Sequence, residues 1–409
     1  MLPWKHDDFA GALAEAKRTN KPLFVDAWAP WCHSCLSLQA YVLSSPTLTP
    51  LARDFVWLSI DTEKEQNAEW VTRFPHQALP TLWIIDPTTE KPILKWMGGA
   101  TAEELRALLD VSRRGANGDA MDASVAFVQG NRAAAADDVA TAEKSYRAAL
   151  AAAKKDHPHR PRIVEALVGL LVIEKDHAAC AEVAAANVAD LPPSTSRATS
   201  TAMGLSCARE AKDRAKEDQL LAIALADVNA SDGRVLADDR SALFEEIIET
   251  KKERGDEAGA KETGSAWARF LEAEAAKAKT PAERVVFDAH RLSAYLAIGE
   301  PVRAITMLEA SERDFPNDYN PPARLARAYL SLKKLDEADA AADRAIARVY
   351  GPRAMRVYEV KADVAKAKGD KAKERAALEE ALARSAKGAL TSGQKRVRDG
   401  LAKRLGALR

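Results

Sequence analysis

An apolar run that breaks at once into two thiols sets narrow limits on what this chain can build. Leu23-Phe24-Val25-Asp26-Ala27-Trp28 has the character of a buried strand, and Trp31-Cys32-His33-Ser34-Cys35 follows almost directly. A strand that ends in Cys-x-x-Cys and continues as a helix places the first sulfur at the helix N-terminus. Unpaired amides and the positive end of the helix dipole stabilise a thiolate there. Thiolates rather than thiols attack disulfides, so the pattern points to thiol–disulfide chemistry. Two more features agree with it. Asp26 sits inside the apolar run, where a charge is costly to bury. Leu79-Pro80-Thr81 precedes a second strand-like run, Leu82-Trp83-Ile84-Ile85, so Pro80 is placed where a cis proline faces the thiols.

The order of elements supports an α/β domain. The patterning predicts a helix over about Asp7 to Arg18, a strand over 22–28, and a helix opened by the cysteine pair. A strand follows at Phe55-Val56-Trp57-Leu58-Ser59-Ile60, then a helix over 65–74 and the strand after Pro80. Asp86-Pro87-Thr88-Thr89 reads as a turn, Pro92–Trp96 as a strand, and Thr101-Ala102-Glu103-Glu104 as the capping box of a last helix.

On these residues, 1 to about 113 resemble a thioredoxin-fold domain, and are especially similar to the C-terminal domain of the membrane thiol:disulfide interchange reductases and their relatives. The matching residues are Lys21 to Ala29, the Trp-Cys-x-x-Cys, Leu79-Pro80-Thr81, and Gly98-Gly99 before the last helix. The resemblance implies a central mixed sheet flanked by helices, Cys32 as attacking thiol, Cys35 as resolving thiol, and Asp26 as the buried acid that handles the Cys35 proton. It also implies a substrate groove shaped by Pro80 with Leu79 and Trp31 beside it. Two departures stand out. His33-Ser34 replaces the Gly-Pro of ordinary thioredoxins, and a histidine there either stabilises the Cys32 thiolate as a cation or points at solvent. Trp57 stands where those proteins carry a lysine near the acid, so desolvation should raise the Asp26 pKa further. The direction of electron flow stays open.

Competing readings are weaker. Zinc needs four ligands, and no second Cys pair or well-spaced His pair accompanies Cys32 and Cys35, so no metal is expected. His157-Pro158-His159 reads as a solvated helix-end segment. Asp26 as a structural acid and Pro80 as a trans strand starter remain alternatives. No cofactor is implied. The formal charge of zero, from 60 basic and 60 acidic residues, gives no reason to expect nucleic acid or an anionic membrane as partner.

Composition changes after the first domain. All but one of the tryptophans lie at or before Trp96, the exception being Trp267, and beyond residue 113 Ala, Glu, Lys, Arg and Leu dominate. Residues 114–120 read as a linker, and 121–409 as an all-α region with internal repetition. Gly130, Ala142 and Ala149 share their separations with Ala326, Ala338 and Ala345, and Ala362 and Ala381 follow in register. These segments resemble tetratricopeptide repeats: small residues where two antiparallel helices approach, Tyr329, Leu332 and Leu335 as fillers, and a turn or proline such as Asn320-Pro321-Pro322 at the unit boundary. The clearest units lie near 121–155, 285–316, 320–350 and 353–386; 196–280 match loosely, and Glu374 stands where an alanine is usual. An irregular bundle is the alternative. Stacked repeats would form a curved array whose concave face binds a protein or peptide.

Cys180 and Cys207 fall in adjacent predicted helices, either as small buried residues, as a disulfide, or as an internal substrate of the first pair. No run of about 18 apolar residues occurs, so no membrane-spanning segment is expected. As it stands the sequence reads as cytoplasmic, or as periplasmic if a leader has been trimmed. The function expected is a thiol–disulfide oxidoreductase acting on protein disulfides, supplied by an upstream redox partner that the residues do not name, with the helices recruiting a protein partner. The alternative is an interaction scaffold whose first domain docks or senses redox state.

Overall fold

A computed structural model describes residues 2–114, 123–230, 235–385 and 390–408. A short strand that the sequence reading missed, β1 (Trp4–His6), precedes α1 (Phe9–Thr19). Asp8 caps α1 by accepting from the Gly11 amide at 2.8 Å. Then come β2 (Leu23–Trp28), α2 (His33–Ser37) continuing as π-helical Leu38–Leu43, a 3-10 segment Pro46–Leu51, and β3 (Val56–Asp61). Next are α3 (Ala68–Arg73), β4 (Thr81–Ile85), β5 (Pro92–Met97) and α4 (Ala102–Arg114). The Thr101–Glu104 capping box forms in both directions, at 2.8 and 3.2 Å. The sheet order is β1-β3-β2-β4-β5. β1 runs parallel to β3, while β4 is antiparallel to both β2 and β5, with Asp26 opposite Leu82. The sheet is mixed, as expected.

The rest is helical. The helices are α5 (Ala123–Ala135), α6 (Val139–Ala152), α7 (Arg160–Ile173), α8 (His177–Asn187), α9 (Thr195–Glu210), α10 (Arg214–Asn229), α11 (Ala237–Glu253) and α12 (Glu257–Lys277). They continue as the short α13 (Pro281–Val285), then α14 (Asp288–Ala297), α15 (Arg303–Asp314), α16 (Asn320–Ser331), α17 (Leu335–Ile346), α18 (Ala354–Ala367), α19 (Lys371–Ser385) and α20 (Ser392–Gly406). Neighbours pair as hairpins: α5 with α6, α7 with α8, α9 with α10, α14 with α15, α16 with α17, α18 with α19. The four expected repeat units each coincide with one hairpin. Ala142, Ala149, Ala326, Ala338, Ala345, Ala362 and Ala381 are all fully buried, so these positions are small because two helix backbones meet there. A Cβ on Gly130 would stand 2.5 Å from the Tyr146 ring. Glu374 is buried because Arg404 of α20 reaches it, 2.9 Å away.

One regularity escaped the sequence reading. Each of these six hairpin turns, and the turn between α11 and α12, puts one residue in the left-handed region: Asp137, Lys175, Lys212, Gly255, Gly299, Lys333 and Gly369. In five of these turns an aspartate follows at once and caps the next helix: Asp138, Asp176, Asp213, Asp256 and Asp370. That turn satisfies the amides a helix start leaves open, which is why it recurs.

By contact, the chain forms two compact units that do not divide at residue 113. One comprises 1–27, 34–59 and 80–263; the other comprises 28–33, 60–79 and 264–409. In the first, α5 packs on β5, with the Trp96 and Phe127 rings 6.5 Å apart. Of the expected linker 114–120, only Arg114 is described, as the end of α4. No helix among the described residues is long and apolar enough to cross a membrane.

Candidate functional site

Cys32 immediately precedes the first residue of α2, and Cys35 lies one turn inside it. The Cys32 amide donates to the Ala29 carbonyl at 3.0 Å, which turns the chain from strand to helix. Both cysteines are disulfide-bonded. Cys32 is 5 % exposed and Cys35 fully buried, so an incoming group meets Cys32 first.

In the first unit, Asp26 is buried in the middle of β2. Gln39 Nε2 donates to its Oδ2 at 3.0 Å, and Oδ1 has no hydrogen-bond partner. Burial pushes the carboxyl up to about 7, against the smaller opposing pull of the Gln39 amide. The Trp57 indole is fully buried and donates to Ala52 O at 3.3 Å, so it brings the acid no charge. Gln39 was not anticipated. Its signal was available: it lies four residues after Cys35, on the same helix face, and is polar amid Leu36, Leu38 and Ala40. Pro80 opens β4, with its carbonyl accepting from the Gly98 amide at 2.9 Å.

The second unit holds Trp28–His33 through groups from far along the chain. Asn320 Nδ2 donates to Pro30 O at 3.1 Å. The Trp31 indole N–H donates to Glu63 Oε1 at 3.0 Å, and the Arg353 amide donates to Glu63 Oε2 at 2.7 Å. The Arg353 guanidinium lies over the Trp31 ring, 4.7 Å from its centre. Burial raises the Glu63 pKa, opposed by those two hydrogen bonds. The Tyr350 hydroxyl donates to Asp61 Oδ2 at 2.5 Å. His33 is neither fully exposed nor alone: its ring centre lies 3.9 Å from that of His290, which is buried and in turn 5.7 Å from Trp267. Trp31 and Leu79, the expected substrate contacts, line one cleft of about 510 Å³. The partners Glu63, Asn320, Tyr350, Arg353 and His290 carry no sequence signal that separates them from other polar residues.

Elsewhere in the first unit, Cys180 of α8 and Cys207 of α9 are joined as a disulfide, with Cα atoms 6.0 Å apart. Both are buried, so the pairing staples two helices and leaves no sulfur accessible as an internal substrate. A buried ionic cluster lies at the start of four helices. Arg162 ion-pairs with Glu104 and Glu165 at 3.2 and 3.0 Å, and donates to Gly99 O at 3.1 Å. Thr195 donates to Asp239 at 2.6 Å nearby. Burial raises the Glu165 and Asp239 pKa values, whereas Arg162 and the Thr101 cap outweigh burial at Glu104 and lower its pKa. His159 precedes α7 and its ring stacks on Phe127 at 6.5 Å, so this histidine segment is not simply solvated.

Comparison with known proteins agrees with this geometry. Residues 4–87 match a family model described as thioredoxin-like. The chain is 29% identical over 82 residues to the thiol:disulfide interchange protein DsbD of Pseudoalteromonas atlantica. That match covers 20% of this chain and 14% of the relative. A tetratricopeptide repeat protein from Parabacteroides merdae superposes with a TM-score of 0.45 at 11% identity, covering 68% of this chain and 98% of the other. The C-terminal part of a repeat-containing protein from Cytophaga hutchinsonii gives 0.37 at 13% identity, covering 66% and 98%. Neither score reaches 0.5, and the repeat assignment stands on the hairpins themselves. The chain thus carries an N-terminal thioredoxin-like domain with a Cys-x-x-Cys pair, followed by a region of tetratricopeptide-like helical repeats.

Proposed function

We propose that the protein exchanges disulfides with protein substrates through Cys32 and Cys35. The observation that carries this reading is Asp26: a buried carboxyl raised to about 7, without a cation, on the strand that leads into the cysteine pair. In the reducing direction the Cys32 thiolate attacks a substrate disulfide, forms a mixed disulfide and expels one substrate thiolate. Cys35 then gives its proton towards Asp26 and attacks the Cys32 sulfur, expelling the second substrate thiolate and leaving Cys32–Cys35 oxidised. Two electrons pass to the substrate, and an upstream dithiol must return them. The oxidising direction is the same sequence reversed. An acid with a pKa near neutrality serves both directions, because it accepts and returns a proton at little cost. Trp31, Leu79 and Pro80 would hold the substrate chain, with His33 and its neighbour His290 shaping the approach to Cys32.

The test uses the full chain. Cys35→Ser should accumulate mixed disulfides with its partners, and Cys32→Ser should abolish insulin-disulfide reduction; unchanged reduction by Cys32→Ser would refute the assignment. A redox titration of the pair fixes direction. A value near about −270 mV marks a reductant, and one between about −180 and −120 mV an isomerase or oxidant.

A second reading draws on the hydrogen bonds from Asn320 and Arg353 to the Trp31 loop and its neighbour Glu63. In it the helical repeats bind a protein and the cysteine pair reports redox state to them. Partner binding that differs between oxidised and reduced chain, without turnover, would favour it. We further propose an oxidising compartment as the place of work, since a structural staple such as Cys180–Cys207 persists there.

A further inference from the structure

The cleft beside Trp31 has a wall that no thiol–disulfide motif supplies. On one side stand Trp31, Glu63 and Leu79; on the other stand Arg353 before α18, Arg356 on α18 and Arg396 on α20. Its volume of about 510 Å³ lies within the range of sites that enclose a ligand or several side chains. Val71, Met355 and Val397 give it apolar lining as well.

Charge in this cleft does not balance. Arg356 is neutralised by Glu359 at 2.7 Å. The Glu63 carboxylate is spent on the Trp31 indole and the Arg353 amide, and is buried. Among the described residues no ion pair holds Arg396, nor the Arg353 guanidinium, which stacks on Trp31. One guanidinium without a charged partner, Arg396, and a second, Arg353, whose charge Glu63 partly offsets, therefore border a cavity whose edge is the residue next to Cys32. A guanidinium fork matches a carboxylate with two parallel hydrogen bonds, and a partly enclosed site strengthens that pairing.

We propose that this cleft selects the substrate, taking an extended polypeptide with an acidic side chain flanking its disulfide cysteine, and that Arg396 is the specificity-determining residue with Arg353 beside it. This rests on the dithiol reading and adds a substrate class to it. The apolar lining accommodates the neighbouring side chains of the peptide, and the arginines bind its carboxylate. The preference belongs to the helical region, which explains why a redox domain would carry one.

The experiment separates recognition from chemistry. Two short peptides, identical except for Glu or Gln beside a serine in the cysteine position, are titrated calorimetrically into the oxidised full-length protein. The Glu peptide should bind about fivefold tighter at low salt, as one partly solvated ion pair allows. Added salt should shrink the difference. Arg396→Glu should abolish the preference; the side chain is exposed, so the packing of α20 is not at stake. Arg398→Glu, on the same helix but outside the cleft, should keep it. Equal binding of the two peptides, or an unchanged preference in Arg396→Glu, overturns the proposal. Because neither peptide carries sulfur, that failure would leave the Cys32–Cys35 chemistry standing, whereas inactivity of the intact pair toward insulin would strike the chemistry alone.

Discussion

Asp26 shows how much one side chain can carry. Its strand, burial and missing cation were legible from the sequence, and its raised pKa follows from desolvation with only Gln39 in opposition. The sign of the stability effect is then fixed. The unfolded carboxyl titrates near its usual value, so folding takes up a proton between about pH 4 and 7. The stability is complete below that window and declines as pH rises through it. Asp26→Asn, which never ionises, should leave the unfolding midpoint in urea unchanged at pH 3. At pH 8 it should raise stability by up to about 4 kcal/mol. In the proposed mechanism the same variant should slow release of mixed disulfides, because Asp26 would take the Cys35 proton. A variant with identical stability gain at both pH values would disprove the assignment of this carboxyl. His33 teaches the opposite lesson. Its position in the motif was plain, but its neighbour His290 lies on a helix hundreds of residues away.

The hairpin is the element that repeats, and its turn is the part open to design. Lys212 sits between α9 and α10 with φ of 56°, a conformation that costs a side chain about 1 kcal/mol. The same turn uses glycine at Gly255, Gly299 and Gly369, where a Cβ would touch nothing within 4 Å, so sterics with neighbours play no part there. Lys212→Gly should therefore be neutral to stabilising by up to about 1 kcal/mol, and Gly369→Ala destabilising by a similar amount. Chemical denaturation of both variants checks the pair; a destabilised Lys212→Gly would mean that the unfolded-state entropy of glycine outweighs relief at φ. Arg162 belongs to the same scale, since it serves α4 and α7 at once. Arg162→Met should cost about 3 kcal/mol at pH 7, because it leaves the low-pKa Glu104 carboxylate half-buried with no cation. The repeats themselves were readable because small residues recur at helical spacing. The left-handed turn residue was not, because Asp, Lys and Gly all occupy it.

Across the whole chain, Gly351 marks where distant segments had to meet. Its φ is 62°, and a Cβ there would lie 2.2 Å from the backbone carbonyl oxygen of Glu63. Gly351→Ala should force the two backbones apart, cost about 2–4 kcal/mol and loosen the Trp31–Glu63–Arg353 arrangement. The measurement is Trp31 fluorescence together with the denaturation midpoint; wild-type values for both would show that the approach is not needed. The sequence alone determined the strand that runs into two thiols, the buried acid before them, the proline before β4 and the paired helices with alanine at their crossings. All of these rest on local rules, a period of two or of 3.6, a cap, a spacing along one helix. Only the tertiary structure decided that Glu63 holds the Trp31 indole, that Asn320 holds the Pro30 carbonyl, that Cys180 pairs with Cys207, and that Arg353, Arg356 and Arg396 line the cleft beside Trp31. The reason is physical: a buried donor or charge needs some partner, many residues along the chain qualify equally, and close packing selects the one whose backbone can come near enough.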